Sequence, residues 1–167
     1  MPHDPRDESA RPGAIDGRTA FRDAVRRAFA TAARERVREL QLVDVDYEAW
    51  PLDDAGVLEA LGAWARLPSR RLLMVAARFD ALPRLFPRFA AWRRDWSHVV
   101  ECRATDVEPS QIPTLVLAGP ASLHLADAQR WRGHWLATPR EVDDWHEVVD
   151  VLVQRSEPGF AVNTLGL

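Results

Sequence analysis

The spacing of apolar residues changes several times along the chain. Phe21, Val25, Phe29 and Ala32 recur at helical intervals while Arg22, Arg26 and Arg27 fall elsewhere, which predicts an amphipathic helix over about 18–35, capped by Asp16 or Thr19. Between Val37 and Asp46 the period shortens: Leu40 and Leu42 share one face, Val43 and Val45 the other, the pattern of a strand buried on both sides. Val57, Leu58, Leu61 and Trp64 restore the helical period behind a cap at Asp53 or Asp54, and Pro68 ends that helix. Arg71–Ala77, RLLMVAA, is a continuous apolar run of strand length. Asp80 is the expected cap of a third helix with Leu85, Phe89 and Trp92 inside, which Pro87 should distort or restart. His98–Ala104 reads as a third strand, and TLVLAG, SLHLA and WRGHWLA as three shorter ones. Thr138 or Pro139 opens a last helix with Val142, Trp145, Val149 and Leu152 on one face.

Strands alternating with helices, then a closing run of short strands, predict an α/β fold. It should have a mixed sheet with parallel βαβ crossovers, an antiparallel C-terminal hairpin and helices on both faces. Residues 1–16 offer almost nothing to bury and read as a tail, 17–155 as one α/β domain, and 156–167 as a C-terminal tail whose Phe160, Val162 and Leu165 can dock on a surface.

Composition narrows the function classes. With 47% hydrophobic and 28% charged residues among 167, the chain is globular in kind. One cysteine excludes an intramolecular disulfide framework, no apolar run approaches the roughly 18 residues of a membrane span, and the N-terminus lacks an export pattern, so a cytoplasmic location is expected. A net charge of −3 argues against nucleic acid as a partner. All 22 basic residues are Arg, the bias of a G+C-rich genome rather than a sign of phosphate binding.

Glycine-rich phosphate loops, GxSxG, HExxH and paired CxxC are all absent, and no cofactor or metal is expected. Cys102 reads as a buried thiol, His3 and His98 as incidental, and His146 as ion-paired with Asp143 or Asp150. Two constellations remain. A hairpin turning at Asp127–Gln129 would set His124 opposite Arg132 and Ser122 opposite His134, collecting His124, Arg130, Arg132 and His134 on one face able to hold a phosphate or carboxylate. The competing reading of that face is a solvated hairpin surface. The carboxyl ends of the parallel strands carry the second set, Asp44, Asp46, Arg78 and Asp80, where open α/β sheets place ligands. Caps and an Asp46–Arg78 ion pair explain those residues equally well.

The leading helix, the runs ELQLVDVDYEAWPLDDAGVLEALGAWAR and RRLLMVAARFDALPRLFPRFAAWRRDWSHVVECR, and the later RWRG resemble a proteobacterial domain of unknown function. That domain often follows a GNAT-type N-acetyltransferase domain and looks like one half of the phospholipase D-like fold; the resemblance covers roughly 18–155. Catalytic phospholipase D-like proteins need HxKxxxxD, which a chain without Lys cannot match, and no acetyl-CoA-binding loop is present. The resemblance therefore implies a degenerate, non-catalytic binding or regulatory module, with a second copy of the chain or a separate protein such as an acetyltransferase as its partner. The alternative is a phosphate-recognising or phosphodiesterase-type enzyme using the His/Arg face. Trp50, Trp96 and Trp135 are the tryptophans left over for an interface.

Overall fold

The computed structural model describes residues 13–160. Eight strands form one mixed sheet, with helices on both faces. In chain order the strands are β1 (Ala14–Asp16), β2 (Glu39–Val43), β3 (Arg71–Ala76), β4 (Val100–Thr105), β5 (Thr114–Leu117), β6 (Leu123–Asp127), β7 (Arg132–Trp135) and β8 (Ser156–Pro158). The helices are α1 (Arg18–Arg34), α2 (Ala55–Ala65), α3 (Leu82–Leu85), α4 (Pro87–Asp95) and α5 (Pro139–Gln154). The spatial strand order is β1-β7-β6-β5-β2-β3-β4-β8. Only β2, β3 and β4 are parallel; every other pairing is antiparallel. Helical crossovers explain the parallel centre, since parallel neighbours need a long connection, and short loops explain the antiparallel flanks.

Alternation along the central strands divides the core. Leu40, Leu42, Leu72, Met74 and Cys102 point to the face covered by α1, α2 and α4, joining Phe21, Phe29, Trp64 and Phe89. Val43, Leu73, Val75, Leu115 and Leu117 point to the other face, which α5 covers with Val149 and Leu152. Trp64 also anchors the turn before β2, donating its indole N–H to the Val37 carbonyl. Burial pushes the Cys102 thiol up to about 11, so it stays protonated inside the core.

Several local expectations are corrected. Both presumed tails contribute to the sheet: β1 pairs with β7 and buries Ile15, and β8 pairs with β4. Val162 and Leu165 lie outside the described residues. Neither Asp16 nor Thr19 caps α1; Gly17, at φ 98°, precedes the helix without a side-chain cap, a conformation glycine adopts at little cost. Asp54 is the cap of α2, accepting from the Gly56 and Val57 amides, whereas Asp53 reaches across to accept the Phe89 amide of α4 at 2.8 Å. Asp80 caps nothing, because α3 starts at Leu82 behind Ala81. Pro87 restarts the helix as α4. Trp50 is buried against Phe21 and Tyr47, which removes it from any interface. Among the described residues no helix is long and apolar enough to cross a membrane.

Candidate functional site

The β6–β7 hairpin does bring two imidazoles together, in a register other than the expected one. His124 stands directly opposite His134, Leu123 opposite Trp135 and Asp127 opposite Arg132, with an irregularity between Leu125 and Asp127. The connection runs over residues 128–131 rather than three residues, and Trp131 takes a left-handed φ of 56° within it. The cause is packing. Trp131 turns onto Phe21, with ring centroids 5.3 Å apart, and this pulls the loop toward α1. Ser122 leaves the predicted face because it closes the turn before β6; it is buried, donates to the Gly119 carbonyl and accepts the Ala118 amide.

Of the four residues proposed for that face, three are committed to other contacts. Arg130 belongs to the turn, where it binds Asp127 through backbone and guanidinium, both of which hold that carboxyl below its usual range. Arg132 pairs with Asp16 of β1 at 3.3 Å. His124 is half-buried beneath Trp145 of α5, with centroids 4.1 Å apart, and its ring lies 5.9 Å from that of His134. Burial, reinforced by the neighbouring His134, pushes the His124 imidazole down to about 4. It is therefore neutral at pH 7 and serves as a packing surface for the helix. His146 accompanies it there: its Nδ1 meets the Gln41 side chain at 2.8 Å, so no ion pair with Asp143 or Asp150 is needed to explain it.

At the carboxyl ends of β2 and β3, Asp44 is the organising group. Its carboxylate accepts the Tyr47 amide at 2.8 Å, the Asp46 amide at 3.4 Å and the Thr114 hydroxyl at 2.6 Å. These bonds hold Tyr47 in the left-handed region at φ 61° and aim its phenol inward, where its hydroxyl shares a proton between the Leu42 and Val75 carbonyls, each 2.8 Å away. Burial raises the Asp44 carboxyl above its usual value despite those donors. Asp46 meets Arg78 at 3.5 Å, and Asp80 is exposed. The four residues thus form a turn and an exposed ion pair rather than a converging set. Among the described residues, no group of three or more His, Cys, Asp or Glu is arranged to hold a metal ion.

A concavity lies at the opposite end of the sheet. A groove of about 780 Å³ opens between α1 and the first turns of α5. Arg27 and Thr31 of α1 form one wall, and Pro139, Val142 and Asp143 of α5 the other. Its floor is built from Pro120, Ala121 and the segment Trp135–Thr138. Because β5 runs antiparallel to β2, with Gln41 opposite Leu117, this floor lies at the amino end of the parallel strands. Thr138 caps α5 by accepting the Glu141 amide at 3.2 Å, which fixes where that wall begins. The sequence singled out Trp135 as worth inspecting and Arg27 as a surface residue, but no spacing rule joins positions more than a hundred apart.

No protein-family model, curated protein or solved structure matches the chain.

Proposed function

We propose that this protein is a non-catalytic, phospholipase D-like binding or regulatory module that works with a protein partner, such as an acetyltransferase on a separate chain, and takes a ligand in the groove between α1 and α5. One observation carries the reading. The candidate acids, bases and cations are largely engaged in holding the fold, while the groove between α1 and α5 is lined mainly by apolar side chains. Its volume is within the roughly 300–1,000 Å³ range of small-molecule sites. A mixed sheet with a parallel centre and helices on both faces supports the phospholipase D-like part of the reading, and the missing HxKxxxxD supports the non-catalytic part. Incubation with a chromogenic phosphodiester, with and without divalent metals, is expected to give no turnover. Metal-independent cleavage that disappears in His124→Ala would overturn the reading.

The second reading, phosphate recognition or phosphodiester cleavage on the hairpin face, is favoured by one fact: His124 and His134 project from the same side of the sheet. Against it, Trp145 covers one imidazole and Asp16 and Asp127 neutralise the two guanidiniums. Isothermal titration with inorganic phosphate distinguishes the two, since binding weakened by His134→Ala belongs only to this second reading.

A further inference from the structure

We propose that His124 and His134 form a two-imidazole site for a divalent transition cation such as zinc, with water in the remaining coordination positions. The pair lies outside the groove between α1 and α5, so it stands or falls independently of the binding-module reading. His124 on β6 and His134 on β7 are direct cross-strand partners, which fixes both side chains to one face of the hairpin. Their ring centroids are 5.9 Å apart, with the planes at 86°. A Zn–N bond of about 2.1 Å places the metal about 3.2 Å from each ring centre, so two imidazoles at a tetrahedral angle have centroids about 5.2 Å apart. The two rings differ in their freedom to close that small gap. Trp145 of α5 packs on His124, with centroids 4.1 Å apart, and holds it in place, whereas His134 is exposed and free to turn its nitrogen edge toward its partner.

Both rings also have nitrogens to offer. Neither imidazole hydrogen-bonds to a protein group among the described residues, in contrast to His146, whose Nδ1 meets the Gln41 side chain at 2.8 Å. The two guanidiniums of the hairpin are each engaged by a carboxylate, Arg130 by Asp127 at 3.1 Å and Arg132 by Asp16 at 3.3 Å, which reduces their repulsion of a metal ion. Imidazole suits zinc, copper or nickel, whereas magnesium and calcium take oxygen donors, so the donor set selects the first group. No third His, Cys, Asp or Glu joins the pair among the described residues, which makes this an open site rather than a closed structural one.

Isothermal titration of the full chain with zinc chloride tests this, in a His3→Ala background that removes the histidine nearest the N-terminal amine. One zinc ion should bind and magnesium should not. His124→Ala and His134→Ala should each weaken zinc binding about tenfold or more, while His98→Ala and His146→Ala leave it unchanged. Zinc should also raise the Tm of the parent protein but not that of His134→Ala. Because His134 is exposed, its alanine variant keeps the circular dichroism spectrum of the parent and the comparison holds even if His124→Ala loosens the packing beneath Trp145. In a 15N-histidine NMR spectrum, zinc should shift the ring nitrogens of both residues together. Absence of zinc binding, undiminished binding in His134→Ala, or a shift confined to one of the two rings would overturn the proposal.

Discussion

Acid should loosen this fold through one histidine. In the native protein the His124 imidazole titrates at about 4, against 6.5 when unfolded. Between those values the unfolded chain binds more protons than the native one, so stability is complete above about pH 6.5 and declines as pH falls toward 4. At full weight a shift of that size corresponds to about 3 kcal/mol. His124 is only half-buried, and solvent screening reduces the expected loss to about 1–2 kcal/mol. His124→Gln removes the titrating group while keeping a planar polar side chain beneath Trp145. Urea unfolding of both proteins, followed by tryptophan fluorescence from pH 7.5 to 4, isolates the effect, because all other carboxylates and histidines are common to the pair. The wild type should be the more stable above pH 6.5, and the gap should close by about 1–2 kcal/mol by pH 4. Parallel pH profiles, or a His124 ring titrating near 6.5 by NMR, would refute the coupling.

Further predictions concern single side chains. A Cβ at Gly133 would come within 2.1 Å of the His124 carbonyl oxygen, so Gly133→Ala should disrupt the β6–β7 pairing and lower the melting temperature by several degrees; an unchanged Tm would contradict the hairpin register. Tyr47→Phe should cost about 1–2 kcal/mol in chemical denaturation, through loss of a buried hydroxyl that bridges β2 and β3. Asp54→Ala removes the α2 cap and the Arg26 bond together and should cost about 1 kcal/mol on the same assay. Arg93 is buried, its Nη2 donating to the Phe160 carbonyl at 3.3 Å and its guanidinium over the Phe160 ring at 5.5 Å, with Nε and Nη1 unpartnered among the described residues. Arg93→Met should therefore leave Tm unchanged or raise it, and a large drop would reveal a partner for that charge.

The fold was more legible in the sequence than the site. Periodicity found α1, the central strands and α5 because each has a buried face long enough to leave a repeating pattern, as in Phe21, Val25 and Phe29. The three-residue β1 and β8 left none; one buried residue, Ile15, carries β1. The hairpin was found but misaligned at its turn: alternation set His124 and His134 on one face, whereas Ser122 is buried, Arg130 falls in the turn, and the loop, with Trp131 packed on Phe21, is longer than expected. His124 and His134 were rightly set on one face, but the helix that covers His124 arrives from Trp145, twenty-one positions later and on another element. At the strand ends the acidic residues were visible, whereas the bond from Thr114 that makes Asp44 a structural group crosses from β5. The groove had no local signature, since its walls come from α1 and α5 at opposite ends of the described chain.

The outermost positions of the sheet are filled by β1 and β8, each three residues long and each drawn from one extremity of the described fold. Their brevity makes them guards. A broad sheet with longer bare margins would offer its unpaired amides as a template for neighbouring molecules, and here β7 and β4 are shielded by stubs too short to propagate a fibre. Trimming either stub would leave the edge of β7 or β4 without its partner strand.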